Sequence, residues 1–476
     1  MNVIKYIMCF ALALASLQSN VIAENSIAHT TSVSDFGKIY SAQASSTFEP
    51  TSTEEVQAIV IKALQDNRKI GVAGAQMSQG GHTLPGEPEG FFISSKKMNI
   101  VQILPEEKIA RVGPGATWKD IQNKAYPFGL AVKVMQASNI FSVGGSISTN
   151  IHGWDHIEGS LSETLRTVTI VDANGNIVKL KPNDELFGLV VGGYGMFGII
   201  VEAEIELADD VTLIRQLNAM PIEEYNSYYS TAVEPDSSMK LHYAAISLDP
   251  YDLFGNVTAI NFTETQEMYP RKAILVDEPE KGHFTDRLAI TILRKYPRLI
   301  LLKRKYEESF QTRESVMTRN EAMRPAINFI LSADTKNGDM LQEYFVPKEN
   351  LVPFLKELKV LIEKHGVNLF NATIRHVKKD TLTAMPYAKT DVFAIVLYYY
   401  NNLEANGLEN IQDFTRKAID LSIKYGGTYY LPYHRFHTLE QLDGAYPERK
   451  HIIEKKSEYD PGNIFFSQFA EQYFKL

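Results

Sequence analysis

The sequence predicts an α+β fold in which one domain, built from two separate parts of the chain, carries a second domain inserted between them. In residues 45–207, short apolar strands alternate with short helices, and three glycine-rich turns lie among them. Residues 208–420 contain longer helical patterns, isolated strands and fewer glycines. Residues 421–476 return to turns and short elements, so we predict that they complete the first domain, while 208–420 form an inserted α+β cap. A chain of 476 residues is long enough for two hydrophobic cores.

Composition and charge favour a soluble protein that binds a small molecule. Hydrophobic residues make up 44% of the chain and charged residues 22%, values that are typical of globular proteins. The net charge of −9 offers no basic surface for nucleic acid. A basic amphipathic stretch at 287–306 is interpreted as a surface helix with a solvated charged face, and peripheral membrane contact is the alternative interpretation.

The N-terminus has the pattern of a signal peptide. Lys5 supplies a positive charge, residues 6–17 form an apolar run that is short for a membrane span, and small or apolar residues precede a cleavage site before Glu24. We therefore predict a signal peptide at 1–23 and an exported, periplasmic or secreted, mature chain; an uncleaved anchor is the alternative. Because the one cysteine, Cys9, lies in this segment, the mature chain is predicted to contain no disulfide and no cysteine chemistry.

The elements of the first part follow from capping residues and apolar spacing. Ser52 or Thr53 can cap a helix whose apolar face is Val56, Ile59, Val60 and Ala63. Short strands are predicted at 70–73, 91–94, 100–103 and 109–112. Thr117 can cap a second helix over 118–125. The dipeptide Asn174–Gly175 between two apolar runs predicts a hairpin with a type I′ turn.

The three glycine-rich turns lie at 74–81, 144–153 and 192–198. None of them is followed by the Gly-Lys-Ser/Thr of a phosphate-binding P-loop, and none opens a long helix as a dinucleotide fingerprint does. Small residues allow a backbone to approach a ligand closely, and free N–H groups in such turns bind phosphate. Three turns of this kind within one αβ segment favour a single long, anionic, planar ligand.

These motifs resemble the FAD-binding (PCMH-type) domain of the vanillyl-alcohol oxidase family, which includes sugar-lactone and alditol oxidases. The resemblance covers nearly all of the mature chain and depends on three segments in the family's order: SVGGSISTNIHG, the hairpin, and ELFGLVVGGYGMFGII. Within the family, the chain is similar to the decaprenylphosphoryl-β-D-ribose oxidases, in which a GG…IHG run also carries an active-site His. The resemblance implies a two-part FAD domain with an inserted substrate domain, and an FAD cofactor.

The resemblance also implies which residues contact the cofactor. The first turn would cradle the pyrophosphate through Gly74, Ala75, Gln76, Met77, Ser78, Gln79 and Gly80. The second segment would complete this site through Ser138, Asn139, Val143, Gly144, Ser148 and His152. The third would lie against the flavin and adenine ends through Gly193, Gly198 and Ile200.

One position departs from the family pattern. Many relatives hold FAD covalently through a His just before the Ser of the first turn, and Met77 stands at that position here. His82 lies five residues further on and does not match the attachment position. We therefore expect FAD to be bound without a covalent link.

The implied reaction is oxidation of an alcohol carbon, with hydride transfer to flavin N5 and removal of the hydroxyl proton by a base. His152 is the first catalytic candidate because of its position in the motif, and an orienting hydrogen-bonding role is the alternative. In the ribose oxidases a strand after a Gly-Gly pair presents a lysine to the substrate. Tyr433 stands at that position here, and His434 follows it. A Tyr hydroxyl can donate a hydrogen bond or, with a lowered pKa, act as a base.

Three further residues are candidates for the site. Arg375 and Tyr344, on predicted cap strands, could face the flavin, while a salt-bridged Arg and a packed Tyr are the structural alternatives. His156 is a weaker candidate three residues after His152.

Two hypotheses about function follow from the sequence. The first is an exported FAD-dependent oxidoreductase that oxidises a CH–OH group of a sugar, sugar-lactone or polyprenyl-sugar alcohol and passes electrons to oxygen or another acceptor. The second is an exported flavin- or nucleotide-binding protein without redox turnover. A metal-dependent hydrolase is disfavoured because the histidines show no HExxH or comparable cluster, so no metal site is expected.

Overall fold

The computed structural model describes residues 31–37, 39–86, 90–275, 315–324 and 337–475. The predicted signal peptide at 1–23 and the basic stretch at 287–306 lie outside these residues. Within the described residues, no helix combines the length and the apolar character needed to cross a bilayer.

The first sheet has four strands in the order β1-β2-β4-β3. These strands are β1 (Thr31–Ser34), β2 (Ser41–Phe48), β3 (Ile70–Ala73) and β4 (Gly90–Ser94). Strand β4 runs parallel to both β2 and β3. Helix α1 (Thr53–Gln65) connects β2 to β3, and the Ser52 side chain caps it by accepting a hydrogen bond from the Glu55 N–H. The predicted apolar face of this helix is buried.

The second sheet is antiparallel, in the order β5-β6-β10-β8-β9, with β7 also pairing with β10. Its strands are β5 (Val101–Leu104), β6 (Ile109–Val112), β7 (Leu130–Val132), β8 (Leu165–Val171), β9 (Ile177–Leu180) and β10 (Ile199–Asp209). Three helices lie between these strands: α2 (Trp118–Ala125), α3 (Val143–Ser148) and α4 (Glu185–Val190). Thr117 and Asp120 form a capping box at the start of α2.

The third sheet is the largest, with eight antiparallel strands in the order β14-β11-β13-β12-β16-β17-β15-β18. Its strands are β11 (Thr212–Pro221), β12 (Met239–Ile246), β13 (Asn256–Glu264), β14 (Ser315–Thr318), β15 (Asn337–Pro347), β16 (Leu369–Val377), β17 (Val392–Asn402) and β18 (Thr428–Tyr429). Helices α5 (Ile222–Tyr228), α6 (Arg319–Ala322), α7 (Leu351–His365) and α8 (Ala405–Lys424) belong to the same part of the chain.

The two faces of the third sheet differ in burial. Along β17, Ile395, Leu397 and Tyr399 are fully buried, and the alternate residues Val396 and Tyr398 are only half-buried. Helices α7 and α8 pack on one face of this sheet. Because successive side chains of a strand point to opposite faces, the half-buried residues form the other, more open face.

The C-terminal segment contacts both parts of the molecule. It contains helices α9 (Leu439–Ala445), α10 (Arg449–Tyr459) and α11 (Gln468–Tyr473). The Ile70 N–H of the first sheet donates to the Ile464 carbonyl (2.7 Å), and the Gly86 N–H donates to the Phe466 carbonyl (2.8 Å). Strand β18 pairs with β15 of the third sheet. The domain boundaries at 207 and 420 stay a prediction.

The hairpin between β8 and β9 differs from the predicted turn type. Val171 and Ile177 pair directly, so the loop contains the five residues between them. Only Gly175 in this loop has a positive φ (+83°), whereas a type I′ turn needs two such residues. The Asp172 carboxylate accepts hydrogen bonds from the N–H groups of Asn174 and Asn176, which holds the longer loop. The type I′ prediction is therefore wrong.

Candidate active site

The three glycine-rich turns lie against one another. The Ala75 N–H donates to Ser142 Oγ (3.0 Å), which joins the first turn to the second. The Gly192 N–H donates to the Ile147 carbonyl (3.0 Å) and the Tyr194 N–H to that of Ser148 (2.9 Å), which join the third turn to helix α3. A Cβ atom on Gly74 would lie 2.0 Å from Ser142 Oγ, so glycine is required for this approach.

The first turn presents backbone donors that the described part of the chain does not use. The N–H groups of Gln76, Met77, Ser78 and Gly80 donate to no acceptor among the described residues. Gln76 has a φ of +57°, and the Ser78 Oγ atom is buried without a hydrogen-bond partner there. A run of free N–H groups in a turn forms an anion-binding concavity. The first turn therefore fits the pyrophosphate of FAD.

The predicted residues of the second segment mainly shape this site. The Val143 N–H donates to the Ala116 carbonyl (2.8 Å) and the Gly144 N–H to that of Pro114 (2.9 Å). The Ser148 hydroxyl donates to the Gly144 carbonyl (2.8 Å). These donors are already used within the protein, so they hold the turn in place rather than bind phosphate. Ser138 is buried, and the Asn139 amide donates to Gln122 Oε1 (3.3 Å).

Gln79 and the third turn also contribute through packing. The Gln79 side chain donates to the Asp339 carbonyl of β15 (3.2 Å), so it tethers the first turn to the third sheet. Gly193 is closely packed, since a Cβ atom there would lie 1.8 Å from the Leu189 carbonyl oxygen. Gly198 has a φ of +147°, which favours glycine, and Ile200 is buried in β10.

The structure brings His152 to a carboxylate of the third sheet. The His152 Nε2 atom lies 2.6 Å from Glu343 Oε1, and both side chains are only 2–3% exposed. The Tyr433 hydroxyl donates to Glu343 Oε2 (3.3 Å). The His152 Nδ1 atom is buried and has no partner among the described residues. Glu343 therefore connects two of the predicted catalytic residues.

The backbone just before His152 is held firmly by the cap. Asn150 is buried with a φ of +43°, a conformation that its neighbours must maintain. Its side-chain amide donates to Asp380 Oδ2 (3.0 Å), and its carbonyl accepts a hydrogen bond from the Tyr387 hydroxyl (2.7 Å). These contacts fix the position from which the His152 side chain projects.

Electrostatics make Glu343 an anion and Tyr433 a neutral donor. Burial raises the pKa of the Glu343 carboxyl, but His152, Arg375 and the Tyr433 hydroxyl together hold that pKa below its ordinary value. Burial, and then the charge of Glu343, raise the pKa of Tyr433 well above its ordinary value. The suggestion that a lowered pKa makes Tyr433 a base is therefore wrong, and the phenol acts as a hydrogen-bond donor.

Arg375 belongs to the same group of side chains. It lies on β16 and is half-buried, and its positive charge is one of the causes that lower the pKa of Glu343. Its Nε atom is buried without a partner among the described residues. Arg375 therefore keeps a donor for a bound molecule on the open face of the sheet.

Three other candidates lie elsewhere. Tyr344 follows Glu343 on β15, so it points to the opposite face, where it is fully buried near Phe354. His434 stacks on Phe436 and is buried, with a pKa lowered to about 3 by burial. The His156 Nε2 atom lies 3.0 Å from the Met239 carbonyl oxygen. The suggestion that Tyr344 faces the flavin is wrong, and neither His434 nor His156 bonds to Glu343.

Glu343 is the functional residue that the sequence reasoning missed. The sequence contains a hint of this, because Glu343 directly precedes Tyr344 on a predicted strand. Successive side chains of a strand point to opposite faces, so if Tyr344 points to one face, Glu343 points to the other. Choosing between them required knowledge of which face packs against α7.

Among the residues that the structure describes, one group outside this cluster has ligand atoms in metal-binding proximity. The ligand atoms of Glu234, His376 and Asp391 lie within 4.8 Å of one another. The Lys348 ammonium group donates to both Glu234 oxygens (2.9 and 3.1 Å), so a cation from the protein already pairs with that carboxylate. The expectation of no metal stays a prediction.

Comparisons with known proteins agree with the geometry of the turns. A model described as an FAD binding domain matches residues 44–181. The chain is 21% identical to mouse L-gulonolactone oxidase over 463 residues, which is 92% of this chain and 97% of the relative. It is 30% identical to decaprenylphosphoryl-β-D-ribose oxidase of Mycolicibacterium smegmatis over 162 residues, 33% of this chain and 35% of that protein. The latter match therefore spans about a third of that relative's length.

A solved structure has the same fold. The crystal structure of 6-hydroxy-D-nicotine oxidase from Arthrobacter nicotinovorans matches with a TM-score of 0.62, covering 91% of this chain and 92% of that one at 15% sequence identity. Residues 44–181 therefore match an FAD binding domain, and almost the whole chain is similar to an FAD-dependent sugar-lactone oxidase. The predicted α+β fold, the FAD cofactor and an FAD-dependent oxidoreductase acting on CH–OH donors are confirmed.

We expect this FAD-binding oxidoreductase to release its FAD when it is denatured, because its first turn offers no attachment residue. Met77 cannot form the usual bond, and His82 is buried in an aromatic stack with Phe469 (ring centroids 4.1 Å apart). Acid precipitation of the purified holoenzyme should leave the yellow colour in the supernatant. Colour retained in a washed pellet, together with a flavin-bearing peptide in mass spectrometry, would contradict this expectation.

Proposed function

We propose that this chain oxidises a CH–OH group of a sugar, sugar-lactone or related alcohol. The observation that carries the proposal is the buried His152–Glu343 pair beside a turn that fits the FAD pyrophosphate. Bound FAD supplies the hydride acceptor. The protein must then supply a base for the hydroxyl proton and donors that position the alcohol.

The His152–Glu343 pair provides such a base. An ionised carboxylate only accepts hydrogen bonds, so the proton between the two groups belongs to His152 Nε2. In the neutral ring, a proton on Nε2 places the lone pair on Nδ1, an atom that is buried and has no partner among the described residues. We assign Nδ1 as the atom that takes the proton of the substrate hydroxyl. Glu343 then stabilises the imidazolium that forms, as a carboxylate does in a catalytic triad.

Tyr433 and Arg375 complete the arrangement. The Tyr433 phenol stays protonated and holds Oε2 of Glu343, so Oε1 remains directed at His152. Arg375 adds positive charge near Glu343 and keeps that carboxylate ionised. We assign both as positioning residues, and Arg375 as a donor to other oxygen atoms of the substrate.

The proposal is tested by a substrate screen on the purified holoenzyme. L-Gulono-1,4-lactone, D-arabinono-1,4-lactone and xylitol are mixed with the enzyme without oxygen, and bleaching of the flavin absorbance is followed. Bleaching by a sugar-derived alcohol supports the proposal, and recovery of the colour in air shows that oxygen accepts the electrons. A flavin that chemical reductants bleach but none of a broad panel of sugar alcohols does would favour the binding protein without turnover.

We also propose that the mature protein is exported. The support is the N-terminal pattern of Lys5, the apolar run at 6–17 and the cleavage site before Glu24. N-terminal sequencing of the protein expressed in a bacterium with a general secretion pathway should begin at Glu24. Recovery of an uncleaved chain in the cytoplasm would contradict the proposal.

A further inference from the structure

The segment that carries His152 also presents an aromatic side chain to the cap. His152 forms an isolated bridge with Ser160, and two residues later the Trp154 carbonyl accepts a hydrogen bond from the His242 N–H of β12 (2.8 Å). Gly153 between them lies against the backbone of Met135, where a Cβ atom would be 2.3 Å from the carbonyl oxygen. The Met135 backbone thus packs against this segment on one side, and the Trp154 side chain points toward the third sheet.

Trp154 rests on an aromatic surface of that sheet. Its ring stacks on Tyr243 of β12, with centroids 4.5 Å apart and planes 18° apart. Its plane is also nearly parallel to that of Phe262 on β13, at 6.3 Å. Trp154 and Tyr243 are both half-buried, whereas Phe262 is buried. The stack therefore holds Trp154 in one orientation and leaves part of its indole accessible.

The sheet between this stack and Glu343 carries small side chains. The strand register places Glu343, Val396, Thr373 and Ala245 in one row across four neighbouring strands. All four belong to one face of the sheet, and three strand spacings separate the ends of the row by about 14 Å. Val396 and Ala245 are half-buried. The open face therefore has a shallow floor, with Glu343 at one end and Tyr243 with Trp154 at the other.

We propose that the substrate is an uncharged cyclic sugar derivative whose C–H face stacks on Trp154. This inference rests on the proposed function and specifies its substrate class. A flat indole held by stacking packs well against the apolar face of a sugar ring, while the hydroxyl groups of that ring remain free to bond polar groups. Arg375 and His152 offer such groups on the same face. The anionic Glu343 disfavours a substrate that carries a carboxylate or phosphate at the reacting end.

The test compares cyclic and open-chain probes on matched variants. We expect Trp154→Ala to raise the KM for L-gulono-1,4-lactone about 3- to 10-fold, the effect of losing one ring stack, and to change kcat less than about twofold. Trp154→Phe keeps an aromatic face and should stay within about twofold of the parent. The KM for open-chain xylitol should change little in either variant. Tyr251→Ala removes a tyrosine that is 92% exposed on the same domain, and serves as the control.

Binding is measured separately from turnover, so the two proposals can fail independently. The same two probes are titrated against the oxidised holoenzyme, and Kd is read from the perturbation of the flavin spectrum. Loss of lactone affinity in Trp154→Ala, with rescue by Trp154→Phe, supports the inference even if no probe is oxidised. Equal effects on both probes, or none, would overturn the stacking model and leave the proposed function standing. If Trp154→Ala lowers the melting temperature strongly, Trp154→Leu replaces it as the variant without an aromatic face.

Discussion

Replacing Glu343 with glutamine is expected to lower the rate of flavin reduction by about 100- to 10,000-fold, the usual contribution of a positioned acid–base group. Glutamine keeps the shape of Glu343 but carries no charge, so it can no longer stabilise the His152 imidazolium that forms when the substrate loses its proton. Its amide also offers N–H donors to His152 Nε2, which removes the preference for the tautomer with a free Nδ1. Single-turnover flavin reduction without oxygen, using the best substrate of the screen, measures the change.

FAD occupancy and the partner variant show whether this loss concerns chemistry. The free backbone donors for the pyrophosphate lie in the first turn, so Glu343→Gln should retain FAD. His152→Ala should lose a similar factor, and the double variant should be little worse than either single one because the two groups act as a unit. Glu357→Gln removes a carboxylate on α7 that bonds Lys424, and serves as the matched control. Unchanged flavin reduction in both Glu343→Gln and His152→Ala would remove the pair from the mechanism.

Acidification from pH 7 to pH 4.5 is expected to destabilise the fold strongly, because several buried histidines must stay neutral. Burial lowers the pKa of His82, His242, His434 and His437 to about 3 in each case, from an ordinary value of 6.5. Between these values the unfolded chain binds more protons than the folded one, so stability falls as the pH falls. The contribution is fully present above pH 6.5 and is lost toward pH 3.

The expected size is large for a marginally stable protein. Each such histidine contributes about 1.4 kcal/mol per pH unit where the protonation difference is complete. Between pH 6.5 and pH 4.5, four of them together contribute at most about 11 kcal/mol, which is comparable with the whole stability of about 5–15 kcal/mol of a typical fold. Asp210 and Glu163, whose pKa values are raised mainly by burial, act in the opposite direction and offset part of the slope.

The melting temperature of the holoenzyme, measured from pH 7.5 to pH 4.5, checks this prediction. His434→Phe should make the melting temperature depend less steeply on pH, by the contribution of about one proton, since it removes one of the four groups. His451, whose side chain is 53% exposed, provides the matched control variant His451→Gln. A melting temperature that stays constant across this range would show that these histidines bind protons as readily in the fold as in the unfolded chain.

The sequence predicted those parts of the site that depend on residue type. It failed where the face of a strand determines whether a side chain lies in the site. Glycine-rich segments are typical of turns that approach a ligand. The turns at 74–81, 144–153 and 192–198 and the position of His152 could therefore be identified from local sequence. Glu343 and Tyr344 are neighbours, and only the packing of α7 decides which of them meets His152. Tyr433 and His434 lie beyond β18 in a stretch without regular structure, so only the fold shows that Tyr433 bonds to Glu343 while His434 stacks on Phe436.

Backbone hydrogen bonds are also hidden from the sequence. Val143 and Gly144 have the residue types of a phosphate cradle, but their N–H groups bond to Ala116 and Pro114. The N–H groups of Gln76, Met77 and Ser78 donate to no acceptor among the described residues, and Gln76 has a φ of +57°. Nothing in the local sequence distinguishes these two outcomes, since the acceptors come from a turn about thirty residues away.

The bonds from Ile70 to Ile464 and from Gly86 to Phe466 have a consequence for biosynthesis. The β3 edge of the first sheet cannot be covered in the nascent chain until the last residues have left the ribosome, because these partners are separated by most of the chain. Long-range closure of this kind slows folding and exposes unfinished sheet edges in the meantime. A chain cut short before residue 464 therefore lacks the segment that covers the β3 edge of its N-terminal sheet, and such a product is expected to be degraded rather than to accumulate as a partly active enzyme.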